Sequence, residues 1–262
     1  MSKFTNKMIK KYKTSKRSSI IVYFTLRLLV IICMIDQLLR GSLSNAILCL
    51  LSLFLFTIPT FIEDKYKIEL PNLLETTIYC FIFAAEILGE INNFYGIIPF
   101  WDTMLHTLNG FICAGIGFSL VNLLNENSDN INLSPLYVAI VGVCFSMTVG
   151  VCWEFIEYTC DQLFLVDMQK DRIITNIGSI KMNETGENKP VIIKDIQSTI
   201  INTKDKSYTI KNGYLDIGLN DTMKDLMVNF AGAIVFSTLG YFYLKHNNKD
   251  DKITNKFILK KR

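Results

Sequence analysis

The stretch FWDTMLHTLNGFICAGIGFSLVNLL, residues 100–124, holds the key to the fold. Its latter part is apolar and the right length to cross a bilayer, since about 20 residues at 1.5 Å rise span the hydrocarbon core. Its first turns break that pattern. Asp102, His106 and Asn109 stand at i, i+4 and i+7 and share one helical face. A charged group at mid-bilayer costs about 2.5–3.5 kcal/mol on insertion scales. The segment therefore reads as a membrane-crossing helix whose polar face turns onto a shared interior.

The rest of the chain repeats the arrangement. Half of its 262 residues are hydrophobic and only 19% are charged, with mean hydropathy +0.30, too apolar for an ordinary soluble domain. The apolar residues fall in six blocks, roughly 18–39, 44–62, 70–91, 103–124, 135–158 and 221–244. The expected fold is an all-α polytopic membrane protein of about six transmembrane helices, with a small extracytoplasmic β-rich insert between helices five and six. Residues 1–17 read as a basic cytoplasmic tail, 18–158 as helices one to five, 159–220 as the insert, 221–244 as helix six and 245–262 as a second basic cytoplasmic tail. The first tail and block resemble a signal peptide, but no small-residue cleavage site follows and the block carries Arg27 and Asp36, so it reads as an uncleaved span. Lys and Arg are concentrated in both tails, which places both termini in the cytoplasm by the positive-inside rule. Within the insert, KPVIIKDIQSTIINT (189–203) and SYTIKNGYLDIG (207–218) favour strands, and Asn212-Gly213 reads as a hairpin turn. The seven cysteines mostly lie in apolar runs without a C-x-x-C pair and read as small core residues. No basic face with interleaved aromatics suggests nucleic-acid binding.

On this topology four helix ends bring polar residues to one depth, near the outer interface. Span three ends with Glu86, Glu90, Asn92 and Asn93. Span four begins with Asp102, His106 and Asn109. Span five ends with Glu154, Glu157 and Asp161, and span six begins with Asp221, Asp225 and Asn229. So many carboxylates repel one another unless a cation, a proton or a basic group joins them. Arg27 and Lys224 are the nearest protein cations. A divalent metal is the sharper expectation: carboxylate oxygens suit Mg²⁺, Ca²⁺ or Mn²⁺, and an imidazole admits Zn²⁺. The candidate catalytic residues are Asp102, His106, Glu154, Glu157, Asp221 and Asp225; the candidate metal ligands are His106, Glu154, Glu157 and Asp225. Plainer roles stand beside these. Asp102 and Asp221 each precede a helical run and suit N-caps, Trp101 and Trp153 suit an interfacial belt, and Gly142, Ser146 and Gly150 form a helix-packing stripe.

The pieces WDTMLHTLNG (101–110), WEFIEY (153–158) and DTMKDLMVNFAGA (221–233) together resemble the YjdF-like, DUF2238 family of bacterial integral membrane proteins. In that family Asp-x-x-x-His-x-x-x-Gly, Glu-x-x-Glu and Asp-Thr-Met-x-Asp-Leu recur in this order. They also resemble the VanZ-like group, where Asp225, Asn229 and Gly232 fit Asp-x-x-x-Asn-x-x-Gly, although Glu157 stands where that group has Gln. The resemblance spans roughly 70–240 and implies a bacterial plasma-membrane protein; it supplies no reaction.

Three functional readings follow. One is an envelope enzyme whose outer pocket acts on lipids or lipid-linked precursors by metal or acid–base chemistry. It lacks a G-x-S-x-G or H-E-x-x-H motif. Another is a cation or proton carrier, which fits poorly with a cluster at one interface rather than the midplane. The third is a non-catalytic scaffold that docks a partner through the insert.

Overall fold

A computed structural model of the protein describes residues 17–126, 128, 132–246 and 256–261. Most of the basic tail read over 1–17, and part of that over 245–262, lies outside the described residues. The chain divides into two compact units. One comprises Met1–Gly150 with Met227–Arg262, and the other is Val151–Leu226.

The first unit is helical. Helices α1 (Arg17–Leu39), α2 (Leu43–Leu55) and α3 (Ile58–Tyr66) lead through the short strand β1 (Ile68–Glu69) to α4 (Asn72–Ile82). A π-helical segment, Phe83–Ile91, and a one-turn helix α5 (Phe94–Ile97) follow. Next come α6 (Trp101–Glu126) and α7 (Pro135–Phe164), then, after the strands of the second unit, α8 (Leu219–Lys245). Five helical stretches among the described residues are long and apolar enough to cross a membrane: Ser19–Leu39, Leu43–Tyr66, Trp101–Glu126, Pro135–Phe164 and Leu219–Lys245. The second joins α2 and α3 just ahead of Pro59, whose missing N–H loosens one helical turn. The span expected over 70–91 is not a uniform α-helix. Its 11-residue α4 widens into nine residues of π-helix, where the Gly89 backbone lies close against the Tyr95 ring.

Small residues set how α6, α7 and α8 pack. A Cβ at Gly110 would collide with the Asn229 carbonyl, and one at Gly232 with the Thr107 carbonyl. Gly115 faces Phe236, and Gly240 faces Phe118. Residue numbers thus rise together along α6 and α8, so the two helices run parallel. Between α6 and α7 the order reverses. Ser146 Oγ donates to the Gly110 carbonyl at 2.9 Å, and Gly142 packs against Ala114 and Phe118, so these helices are antiparallel. The small-residue stripe on α7 is therefore a packing face, as close backbone approach in membranes requires. Ala114, Phe118, Val138, Ala233 and Phe236 fill the space between the three helices.

Arg27 makes no ion pair with a carboxylate among the described residues. Its guanidinium bonds the Tyr23 hydroxyl one turn away and lies 5.1 Å from that ring's centre. Residues 256–261, within the stretch read as a basic tail, pack into the bundle. Ile258 and Leu259 are buried, Leu259 N donates to Ser119 Oγ at 3.1 Å, and strand β8 (Lys260–Lys261) pairs with β1.

The second unit carries six short strands in three antiparallel pairs. β2 (Arg172–Ile174) pairs with β7 (Tyr214–Asp216), β3 (Ile177–Ser179) with β4 (Val191–Ile193), and β5 (Ser198–Asn202) with β6 (Ser207–Lys211). The strand-rich reading of the insert holds, but the hairpin turn falls elsewhere. The β5–β6 turn is Thr203–Lys206, closed by Thr203 N to the Lys206 carbonyl at 2.9 Å. Ile201 opposite Tyr208 fixes that register through a cross-strand apolar pair. Asn212-Gly213 instead forms the corner where the chain leaves β6 and joins β2. Asn212 takes the left-handed conformation expected of it (φ 66°), and a Cβ at Gly213 would press on Ile173 and Ile174.

Candidate functional site

In the first unit, the face that opened the sequence analysis is a continuous polar ladder. α6 places Asp102 and His106 one turn apart, and His106 Nε2 lies 3.4 Å from Asp102 Oδ1 with both side chains largely buried. One turn further, Asn109 Nδ2 donates to Asn229 Oδ1 on α8 at 3.0 Å. Asn229 is 1% exposed, and its Nδ2 reaches the Ser146 carbonyl of α7 at 3.4 Å. Three helices thus share one hydrogen-bonded layer. The amide pair holds α6 and α8 in register at a depth where an unmet amide is costly. Sequence spacing identified Asn109 and Asn229 as polar members of two separate helices; their mutual bond required the packing.

In the second unit, α7 and α8 contribute the remaining candidates. Glu154 and Glu157 are both buried, and Trp153 Nε1 donates to Glu157 Oε1 at 2.7 Å, which turns the tryptophan from a simple belt residue into a partner of the acid. Asp221 and Asp225 are 2% and 1% exposed. Asp221 accepts from Lys170 N at 3.0 Å and from the Arg172 guanidinium of β2. No sequence motif linked Arg172 to Asp221, because the 49-residue separation closes only through the strand pairing. The capping role read for Asp221 falls to Asp216, whose Oδ2 accepts Asn220 N at 2.9 Å in the first turn of α8.

Arg172→Ala removes a charged donor from a carboxylate that stays buried. The expected cost to this unit is about 1–3 kcal/mol, read as faster limited proteolysis of the strand region; an unchanged digestion pattern would contradict the pairing.

Asp161 accepts from Met168 N at 2.7 Å and Gln169 N at 2.9 Å and so shapes the turn after α7. Asp171 lies at the end of that segment. Burial, and then the charges of Asp167, Asp161 and Asp216, push its carboxyl above the ordinary carboxylate range. A carboxyl that holds its proton more tightly when folded favours the folded state at low pH, and that contribution is lost as pH rises through the raised value. Asp171→Asn should therefore stabilise this unit at neutral pH and leave it unchanged in acid. Hydrogen exchange of the strands at both pH values checks the sign.

Buried acids also occur where the sequence gave no functional signal. Glu63 Oε1 accepts Leu70 N at 2.9 Å, and Tyr79 donates to Glu75 Oε1 at 2.9 Å, with both acids almost fully buried. The tyrosine four residues after Glu75 was the available clue.

An uncharacterized protein of Thermotoga maritima is 28% identical to this chain over 95 residues, covering 36% of the chain and 47% of that relative. The match thus spans about half of the relative's length. No solved structure matches the chain. A family described as a predicted membrane protein, DUF2238, matches residues 19–246, which take in every candidate site residue on α6, α7 and α8. The chain belongs to the DUF2238 family of predicted membrane proteins.

Proposed function

We propose that this is a bacterial plasma-membrane protein with a divalent-metal site at the outer membrane interface, where it acts on lipid or cell-envelope precursors. One observation carries the reading: the Asn109–Asn229 bond between parallel helices. One turn back from Asn109 is His106, with Asp102 beside it, and one turn back from Asn229 on the unbroken α8 is Asp225. On this reading Asp102 and His106 on α6 and Asp225 on α8 would supply an Asp/His/Asp ligand set of the kind that holds a metal ion. An imidazole with two carboxylates suits Mn²⁺ or Zn²⁺, and the carboxylates also admit Mg²⁺. Such an ion, when bound, would supply Lewis acidity toward a phosphoryl or acyl oxygen. Glu154 and Glu157, on antiparallel α7, are assigned to proton transfer or to a wider ligand set. Asp221, engaged by Arg172, is assigned a positioning role. The segment 72–91 completes six spans and leaves both termini in the cytoplasm, with the strand-bearing unit outside. The motif resemblance at Asp225, Asn229 and Gly232 to the VanZ-like group agrees with a plasma-membrane location.

The test is phosphate release from lipid pyrophosphates by the reconstituted protein with Mg²⁺, Mn²⁺ or Zn²⁺. The reading expects turnover by the native protein and none by Asp225→Asn inserted at the same level. Absence of turnover with every ion would reject this chemistry.

A second reading has its own support. Asn229 engages Asn109, Ser146 and Met147, and two glycines bring α6 and α8 into backbone contact, so part of the polar layer serves packing. In a non-catalytic scaffold, neutral substitutions at Asp102, His106 and Asp225 would lower stability in detergent and change nothing else.

A further inference from the structure

We propose, on the footing of that metal site, that Arg172 binds a phosphoryl group of the ligand taken there. The observations all lie within the unit Val151–Leu226. Strand β2 pairs with β7 so that Arg172 stands opposite Asp216, and Asp216 caps α8 through Asn220 N at 2.9 Å. That register brings the arginine to the first turn of α8. There one terminal nitrogen of the guanidinium donates to Asp221 Oδ1, and Asp221 Oδ2 accepts Lys170 N at 3.0 Å. Asp221 is 2% exposed, so both oxygens of a buried acid fix the segment that carries the arginine.

The ion pair does not exhaust the guanidinium, which has five N–H donors in a planar fork. Asp221 is the one side-chain partner of Arg172 among the described residues. It takes a single nitrogen, and the arginine side chain stays 39% exposed. The donors on Nε and the other terminal nitrogen are left for a ligand. Two adjacent donors match two oxygens of a phosphoryl group, and a side chain already held by a buried acid loses little freedom on making that pair. Asp225 follows Asp221 by one turn of α8, so a phosphoryl group on Arg172 stands about one helical turn from a carboxylate of the metal set. The arginine also selects: it admits an anionic headgroup that Asp221, Asp225, Glu154 and Glu157 would otherwise repel. Ile217 and Leu219, just before Asp221, are 73% and 68% exposed and offer aliphatic surface beside the cation, which suits a phosphate borne on a lipid chain.

Native mass spectrometry of the full-length protein in mild detergent with Mn²⁺, offered equal amounts of dioleoylphosphatidic acid and dioleoylglycerol, reads binding rather than turnover. The native protein should retain the phosphatidic acid at least about tenfold over the glycerol lipid, the size of a charge-assisted pair at a partly wet site. Arg172→Gln should bring the ratio near unity while retaining the glycerol lipid as before. Arg172→Lys keeps the charge beside Asp221, so its strand region should resist proteolysis as the native chain does. It loses the fork, and its ratio should fall to about threefold. A native ratio near unity, or an undiminished ratio in Arg172→Gln or Arg172→Lys, overturns the proposal. Elemental analysis of the same samples reads the metal site separately. An Arg172-dependent preference in protein that holds no metal upholds this contact and rejects the ion; a bound ion without the preference does the reverse. Equimolar inorganic phosphate identifies the source: displacement of the lipid assigns the contact to free phosphate, retention assigns it to a lipid phosphate, and either upholds the phosphoryl contact.

Discussion

Gly110→Leu will not yield the native helical bundle in mild detergent. The glycine sits where α6 and α8 meet backbone to backbone, and even a single Cβ would run into the Asn229 carbonyl. A side-chain tip can rotate away from a clash; a main-chain carbonyl inside a helix cannot. Relief requires the helices to separate, which would break the Asn109–Asn229 bond at 3.0 Å and the Ser146 bond to the Gly110 carbonyl at 2.9 Å. Overpacking a tight core typically costs about 1–3 kcal/mol and occasionally more, and here the lost hydrogen bonds add about 0.6 kcal/mol each. Leucine adds four carbons against a carbonyl that cannot yield, so the cost lies at or above the top of that range and takes a large share of the roughly 5–15 kcal/mol that holds a typical protein folded. Gly232→Leu should behave alike, since its Cβ would strike the Thr107 carbonyl from the other helix. Gly178→Ala, where the nearest atom would be 3.9 Å away, is the matched control and should unfold like the native protein. The measurement is size-exclusion profile and thermal unfolding of the three variants. A native profile for Gly110→Leu would mean that α6 and α8 do not touch there.

The second large effect is metal-linked stability. If Asp102, His106 and Asp225 hold a divalent ion only when folded, adding that ion stabilises the folded state by mass action. At a free concentration 100 times the dissociation constant the gain is about 2.7 kcal/mol, which raises the unfolding temperature by roughly 5–11 °C for a chain of this size. His106→Ala and Asp225→Asn should each abolish the rise while unfolding close to the native temperature in the presence of a chelator, because the Asn109–Asn229 layer that fixes the helices is left intact. A rise that persists in both variants would place the ion elsewhere. The effect should weaken in acid, where protons compete with the metal ion for its ligands.

Much of the helical plan was legible because it depends on local features. An apolar run of about 20 residues reads as a membrane helix whatever surrounds it, and a period of 3.6 puts Asp102, His106 and Asn109 on one face without knowledge of the partner. What the sequence left out depends on long-range closure. The widening of α4 into π-helix leaves no period in FAAEILGEI that differs from an α-helix. Asn212-Gly213 carries a strong hairpin signal, yet β6 is already paired with β5, and the chain uses the same left-handed residue to turn toward β2. The insert was expected to begin at 159, whereas α7 continues to Phe164, because no Gly or Pro stops the helix there. Arg27 was read as a counter-charge for an acid, and it bonds Tyr23 on its own helix, a choice available at i−4 but not marked as preferred. The polar residues of α6, α7 and α8 were each visible from spacing. That α6 and α8 run parallel was implied by both spans starting at the outer interface; that Asn109 meets Asn229 follows only from which glycines admit a neighbouring backbone.

The most direct test of the central claim is elemental analysis of the full-length protein purified in mild detergent without chelator, beside His106→Ala and Asp225→Asn. The account predicts about one transition-metal ion per chain in the native protein, as expected of a single imidazole–carboxylate site, and near none in either variant. Native protein that carries no metal after incubation with Mn²⁺ or Zn²⁺, or variants that carry as much as the native chain, would contradict it.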